Sequence, residues 1–166
     1  MPTVIYSNCS KAKQVKFICD DMLGKLAKLL RALGFDTFYQ KEIQDHQLLR
    51  KALEEERTVV TRDRKLVQVK TVPKYVLIWS DQPLAQLEEL LQKLSVSLDR
   101  ENVFSRCLEC NTILKRVEKE KVKDKVYPYV YQTQENFWHC PTCDKIYWAG
   151  THIQRMQEKF RKAGLI

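Results

Sequence analysis

Residues 15–34, VKFICDDMLGKLAKLLRALG, contain the pattern that decides the fold of the first part of this chain. A short apolar run, 15–19, ends in Asp20-Asp21, and leucines then recur at helical spacing. This pattern predicts a strand, an acidic tip and an amphipathic helix. Gly34 stands where glycine commonly ends a helix, because it adopts the left-handed conformation without steric penalty.

The alternation of strand and helix continues to about residue 98. The sequence predicts further strands at 35–39, 58–61 and 75–79. It predicts further helices at 45–56, around Leu66 and at 84–94. Because the strands are apolar on both faces, they favour a mainly parallel sheet covered by helices on both sides. We therefore predict an α/β domain over residues 15–100, preceded by an N-terminal extension at 1–14.

Two Cys-x-x-Cys motifs follow this domain, with 29 residues between them. Cys107, Cys110, Cys140 and Cys143 are the ligand set of a tetrahedral zinc site, which we favour. The alternatives are two disulfides, or a redox pair, which would need a thioredoxin-like strand and helix around one motif. Short strands near the second motif, an exposed hairpin arm and a terminal helix from Thr151 complete a predicted zinc ribbon over 101–166.

The charge of the chain indicates a polyanionic partner. The 166 residues carry a net charge of +8, with a pI near 9.2. The excess is shared, with 17 basic against 13 acidic residues in 1–100 and 12 against 8 in 101–166. RNA or DNA is the first expectation, and an acidic protein or membrane surface comes second. The apolar runs are too short to span a membrane, no secretion signal is apparent, and reduced thiols suit a cytoplasmic or nuclear setting.

Aspartates follow the predicted strands at one edge of the sheet. Asp20 follows the first strand, Asp63 follows the third, and Asp45 begins the second helix. If the first and third strands are neighbours, Asp20 and Asp63 face each other at the point where strand order reverses. Clustered carboxylates suit Mg²⁺ or Mn²⁺, and Asp81 after the fourth strand is a weaker fourth candidate. The alternative for each residue alone is ordinary capping of a helix or strand end.

Basic residues near these acids are candidates for binding phosphates. One group recurs every three residues on the first helix, and another flanks Asp63. The alternative is solvated surface, which is favoured for the helical group. The predicted substrate-binding residues are Lys25, Arg31, Arg62, Arg64 and Lys65.

Aromatic residues of the ribbon allow two interpretations. Trp138, Tyr147 and Trp148 can stack on bases, but a role in the core or seam of the ribbon is favoured.

Five stretches of the sequence, in order, resemble one family. The first part contains FICDDMLGKLAKLLR at 17–31, LGFDT at 33–37 and TRDR at 61–64. The second part contains RCLECN at 106–111, then CPTC at 140–143 running into IYWAGTH at 146–152. These residues resemble the Mut-seven C-terminal ribonuclease family, a group of PIN-like nucleases with a zinc ribbon. Asp21 and Lys28-Leu29 depart from its usual pattern, and neither departure removes an acid.

The resemblance implies a PIN-like α/β fold in which Asp20, Asp45 and Asp63 bind the divalent cation of a ribonuclease. It also implies a fourth acid, for which Asp81 is a positional candidate. Family members occur alone or as the last domain of exonucleases that trim small RNAs. We therefore expect a ribonuclease acting on single-stranded RNA. The alternatives are a catalytically weak RNA-binding module that presents RNA to a partner exonuclease, and a zinc-stabilised protein-interaction domain.

Overall fold

A computed structural model describes residues 15–69 and 74–166, so the predicted extension at 1–14 lies outside the described residues. Among these residues, four strands and three α-helices form the first part, and three strands and two α-helices form the second. The strands are β1 (Phe17–Cys19), β2 (Thr37–Phe38), β3 (Thr58–Thr61), β4 (Tyr75–Leu77), β5 (Lys115–Val117), β6 (Phe137–His139) and β7 (Ile146–Trp148). The helices are α1 (Gly24–Ala32), α2 (Asp45–Glu54), α3 (Pro83–Leu94), α4 (Pro128–Thr133) and α5 (Thr151–Lys162).

The first four strands form a wholly parallel sheet in the order β2-β1-β3-β4. The chain moves from β1 outward to β2, then returns to place β3 on the other side of β1. Strand order therefore reverses between β1 and β3, and their pairing meets the condition under which the sequence placed Asp20 opposite Asp63. The predicted α/β fold with a second small sheet is confirmed.

The parallel sheet buries side chains on both faces, because successive residues of a strand point to opposite sides. Phe17 and Cys19 of β1 face a cluster with α1 and α3. Ile18 between them faces a second cluster with α2. Burial raises the pKa of the Cys19 thiol to about 12, as suits the predicted small buried apolar residue.

The ribbon is an antiparallel sheet in the order β5-β6-β7. Its terminal helix α5 returns to the α/β core, where Phe160 is fully buried. Phe104 stacks on Phe160 with ring centroids 6.2 Å apart. The two parts therefore share one apolar cluster, and the predicted boundary near residue 100 stays a prediction.

Two local features differ from expectation. Helix α4 was not predicted, and it begins at Pro128, whose fixed φ suits the first helical position. Helix α2 begins at Asp45, but the capping position belongs to Gln44, whose backbone N–H is 3.4 Å from the Gln47 side-chain oxygen. Capping therefore does not explain Asp45. No helix in the described part of the chain is long and apolar enough to cross a membrane.

Candidate functional site

The four predicted zinc ligands meet in one cluster. Their sulfur atoms all lie within 4.8 Å of one another, with Cys107 Sγ 3.5 Å from Cys143 Sγ and Cys110 Sγ 3.3 Å from Cys140 Sγ. Zn–S bonds of about 2.3 Å in a tetrahedron place sulfurs about 3.8 Å apart. The cluster therefore has the size and chemistry to hold a zinc ion.

The two Cys-x-x-Cys turns, here called the first knuckle (107–110) and second knuckle (140–143), share one backbone design. The residue directly after each turn is in the left-handed conformation. These residues are Asn111, at φ 70°, and Asp144, at φ 58°. The N–H of each of these donates to the carbonyl of the first cysteine of its turn at 3.0 Å. This matched geometry directs both thiols of a turn to the same side.

The alternatives for the cysteines do not fit this arrangement. The five described cysteines are free, and the shortest sulfur separations far exceed a disulfide bond of about 2.05 Å. Neither knuckle opens a helix as a thioredoxin-like redox pair would.

The first knuckle is fixed to the α/β domain by Arg31. This guanidinium, only 3% exposed, donates to the Thr37 carbonyl at 2.9 Å. It also donates to the carbonyls of Leu108 and Glu109 at 2.9 and 2.8 Å. Burial lowers its pKa. Because Arg31 joins α1, β2 and the first knuckle, we withdraw it from the predicted phosphate-binding residues.

Asn111 extends this connection to the edge strand β2. Its side-chain oxygen accepts from the Thr37 N–H at 3.0 Å, and its amide donates to Asp36 Oδ1 at 2.8 Å. The same carboxylate oxygen lies 2.6 Å from Arg57. Burial raises the pKa of Asp36, but the hydrogen bonds from Arg57 and Asn111 outweigh it and lower the pKa below its usual range.

The predicted acids follow the strand order along the carboxyl edge of the parallel sheet, where β1 to β4 end. Asp45 follows β2, Asp20 follows β1, Asp63 follows β3 and Asp81 follows β4. Since neighbouring strands are about 4.8 Å apart, Asp20 and Asp63 occupy the centre of this edge. We call these four residues the acidic edge.

A hydroxyl joins the two central members of the acidic edge. Thr61, fully buried, donates to Asp20 Oδ2 at 2.7 Å and accepts from the Asp63 N–H at 2.9 Å. Asp20 is itself 8% exposed, and its Oδ1 accepts from the Asp21 N–H at 2.7 Å. Asp63 Oδ1 accepts from the Lys65 N–H at 2.7 Å. Both carboxylates are therefore held in place. Each also accepts a hydrogen bond from a backbone N–H one or two residues later, as the capping alternative predicted.

The loop that precedes Asp45 is bonded to the turn after Asp20. Asp21 Oδ1 accepts from the Glu42 N–H at 2.6 Å, and the Tyr39 hydroxyl donates to the Asp21 carbonyl at 2.9 Å. These bonds tie the β2–α2 loop to the turn after Asp20. Asp45 is exposed. Within residues 15–69 and 74–166, the cysteines are the one group of three or more candidate ligands close enough to share an ion. No three carboxylates of the acidic edge lie that close to one another.

The end of β4 is organised by Glu89 rather than by Asp81, whose side chain is exposed. Glu89 accepts from the Trp79 N–H at 3.0 Å, from the Ser80 N–H at 3.0 Å and from the Ser80 hydroxyl at 2.8 Å. Lys93 contacts the same carboxylate at 2.6 Å. Partial burial raises the pKa of Glu89, but the bonds from Lys93, Ser80 and Trp79 lower it to about 2.

The remaining predicted cations are exposed at the surface. Arg62 and Lys65 flank Asp63 on the carboxyl edge, and the Arg64 guanidinium lies 4.4 Å from the centre of the Trp79 ring. Lys25 projects from α1 and is exposed. These four side chains, unlike Arg31, are accessible to solvent.

The three ribbon aromatics are all partly buried. Tyr147 contacts Cys107 Sγ at 3.1 Å through its hydroxyl, which also accepts from the Leu108 N–H at 3.2 Å. Trp138 and Trp148 are half-buried and line a cavity of about 370 Å³ with Tyr147. The favoured interpretation as core and seam agrees with these contacts.

Sequence reasoning missed three residues that position this site: Thr61, Glu89 and Asn111. Thr61 had a usable signal, because a hydroxyl at the end of a buried strand needs a polar partner. Asn111 also had one, since Asn tolerates the left-handed conformation that follows such a turn. Glu89 had none, because its partners lie nine and ten residues away in a different element.

The fold and these sites define a two-part class: a parallel α/β domain with acids at its switch point, joined to a four-cysteine ribbon. The family model described as the Mut7-C RNAse domain matches residues 15–160. The chain belongs to this family, and its function is therefore of the ribonuclease type. A comparison with curated proteins finds no significant match.

Proposed function

We propose that this protein is a divalent-metal-dependent ribonuclease that acts on single-stranded RNA. The observation that carries this proposal is the hydrogen-bonded series Asp20, Thr61 and Asp63 at the switch point of the sheet. In open α/β sheets, ligands bind at this point, outside the carboxyl ends of the strands. The family match supports the same reaction class.

The donor atoms of the acidic edge suit a hard cation. Each oxygen of Asp20 accepts one hydrogen bond and retains a lone pair, and Asp63 Oδ2 carries no hydrogen bond among the described residues. We propose Asp20, Asp45 and Asp63 as ligands for Mg²⁺ or Mn²⁺, with Asp81 as a fourth acid at the margin. When bound, such a cation supplies charge that stabilises the developing phosphate anion and lowers the pKa of a water nucleophile.

The chain's own residues supply positioning. The Thr61 hydroxyl fixes the position of the Asp20 carboxylate, so the free lone pairs of that carboxylate have a fixed direction. Arg62 and Lys65 stand on either side of Asp63 and can hold the phosphates next to the scissile one. Lys25 extends this basic surface along α1.

We propose a structural role for zinc at Cys107, Cys110, Cys140 and Cys143. Four thiolates complete a tetrahedron and leave no open position for a substrate or water. The clustered thiols also suit a reducing compartment, so we propose the cytoplasm or the nucleus. An exonuclease domain in the same or a partner chain is the expected protein partner.

The test is cleavage of a labelled single-stranded RNA with Mg²⁺ or Mn²⁺, comparing the wild type with Asp63→Asn. The variant keeps the acceptor for the Lys65 N–H but removes the charge that holds a cation. Asp124→Asn is the matched control, because Asp124 is an exposed aspartate of the ribbon. We expect metal-dependent cleavage by the wild type and the control, and a loss of about 100-fold or more in Asp63→Asn.

Cleavage by Asp63→Asn at the wild-type rate would contradict this proposal. If no protein cleaves but RNA still binds with a steep dependence on salt, the chain is instead a module that presents RNA to an exonuclease. In that case Arg62→Ala would flatten the salt dependence by about one phosphate contact.

A further inference from the structure

Trp79 is a large apolar side chain left in solvent beside the acidic edge. It lies two residues after β4 ends at Leu77, and it is 58% exposed. Single exposed apolar residues are common, so exposure alone carries no conclusion. The surroundings of this tryptophan are what distinguish it.

Side chains of α3 form hydrogen bonds with the backbone around Trp79. Both Glu89 carboxylate oxygens accept from the Trp79 N–H, at 3.0 and 3.2 Å. Buried Gln86 donates to the Ser80 carbonyl at 3.1 Å, and Lys93 donates to the Leu77 carbonyl at 2.7 Å. The indole is thus presented to solvent from a fixed backbone, so little conformational entropy is lost when a ligand contacts it.

The residue that covers part of the indole directly follows a member of the acidic edge in the sequence. The Arg64 guanidinium lies 4.4 Å from the Trp79 ring centre, and Arg64 directly follows Asp63. A guanidinium stacked on an aromatic ring keeps donors at its edge for a phosphate. Arg62 and Lys65, both exposed, add positive charge next to Arg64 in the sequence. A planar apolar face and several cations therefore stand together next to the proposed site of cleavage.

We propose that Trp79 and Arg64 form a base-stacking subsite, in which an unpaired nucleobase of the RNA lies against the indole and the guanidinium. The charge around the pair favours a nucleic acid over a protein partner, because nucleotides combine planar bases with phosphates. This inference rests on the proposed ribonuclease function and adds the feature of the substrate that is recognised. Bases within a duplex are already stacked, so the subsite selects single strands.

The test is the affinity of a short fluorescent single-stranded RNA for the zinc-loaded protein, measured without added Mg²⁺ or Mn²⁺ so that no cleavage occurs. Stacking on an aromatic side chain contributes enough that Trp79→Ala is expected to weaken binding about 5- to 150-fold. Trp79→Phe is expected to restore much of it. The matched control is Tyr75→Ala, because Tyr75 is 48% exposed at the opposite end of the same strand and is expected to bind as the wild type does.

An abasic oligonucleotide with the same number of phosphates separates stacking from charge. We expect it to bind the wild type and Trp79→Ala equally. The proposal is overturned if Trp79→Ala binds RNA like the wild type, or if it loses affinity for the abasic strand to the same extent. Unchanged RNA binding together with loss of binding to another protein would make the patch a protein interface.

This test and the test of the ribonuclease reaction fail independently. If Asp63→Asn abolishes cleavage while Trp79→Ala binds RNA normally, the reaction stands and the subsite is wrong. If the wild type does not cleave but Trp79→Ala loses base-dependent affinity, the subsite stands and the proposed reaction is wrong.

Discussion

The four-cysteine cluster and the acidic edge hold their candidate ligand atoms in opposite ways. Four cysteine sulfurs lie within 4.8 Å of one another, and Cys107 and Cys140 are fully buried. The four carboxylates instead follow the strand order along an edge, with Asp45 and Asp81 exposed at its two ends. Thiols can pack together while neutral, whereas ionised carboxylates repel each other unless a cation lies between them. A closed site suits a structural ion, and an open one suits an ion that must meet a substrate.

The largest effect is expected at the centre of the acidic edge. Asparagine substitutions of Asp20, Asp63, Asp45 and Asp81 should reduce metal-dependent cleavage in a graded way, by about 100-fold or more at the first two and least at Asp81. The reason is distance from the switch point between β1 and β3. Steady-state cleavage rates of the four variants check this order, with thermal melting to confirm folding, because Asp20→Asn also disturbs the bond to Thr61. Equal effects at all four positions would contradict it.

The next effect concerns the folding of the cysteine cluster. Cys110→Ser should lower the free energy of unfolding by about 3 to 5 kcal/mol, because the ribbon has a small core and depends on its metal. The loss should reach the α/β domain as well, since the first knuckle contacts Arg31 and Asn111 contacts β2. Zinc content and thermal unfolding are the measurements. Cys9→Ser is the matched control, because Cys9 is not among the four ligands; a stable Cys110→Ser protein without zinc would refute the prediction.

Two cations on α1 that contact the same knuckle provide a direct comparison. Arg31→Met should cost about 3 kcal/mol of unfolding free energy, because it leaves the carbonyls of Thr37, Leu108 and Glu109 without their buried donor. Lys28→Ala should cost less than about 1 kcal/mol, because the Lys28–Glu109 pair is exposed to solvent. Denaturant unfolding of both variants measures the difference. Similar losses of unfolding free energy in the two variants would mean that the burial of Arg31 contributes little to stability.

The smallest effect is the pH dependence due to Glu89. Its folded-state pKa of about 2 lies below the usual 4.5, so its bonds to Trp79 and Ser80 stabilise the fold above about pH 4.5. This contribution is lost as the pH falls from 4.5 toward 2. Glu89→Gln should therefore be less stable than the wild type at pH 7, by about 1 to 2 kcal/mol, and nearly equal to it near pH 2. Urea unfolding across this range checks the convergence, and a constant difference would contradict it.

The fold was predictable where local pattern and tertiary packing agree. Residues 58–61 were predicted as a strand and form β3, because four consecutive β-branched residues suit a strand buried on both faces. The helix at 84–94 was predicted from leucine spacing and begins one residue earlier, at Pro83. Helix α4 was missed because its aromatic and β-branched residues favour strands, and Pro128 with tertiary context overrides that preference.

The candidate site was predictable in its residues more than in its contacts. The sequence placed Asp20 and Asp63 opposite each other on the condition that the first and third strands are neighbours, and β1 pairs with β3. Arg31 could not be distinguished from Lys25, because both lie on one basic stripe of α1. Its burial depends on a knuckle 77 residues later in the chain. Long-range contacts of this kind leave no local trace in the sequence.

The proposed role of the acidic edge is to bind the cation needed for cleavage, a role that the cysteine cluster does not share. Its most direct measurement is a titration of the zinc-loaded protein with Mn²⁺, followed by the paramagnetic signal of the free ion. We predict that the wild type and Asp124→Asn bind Mn²⁺ equally, while Asp63→Asn binds it about tenfold or more weakly and keeps its zinc. Binding of Mn²⁺ by Asp63→Asn with the wild-type affinity would contradict the claim.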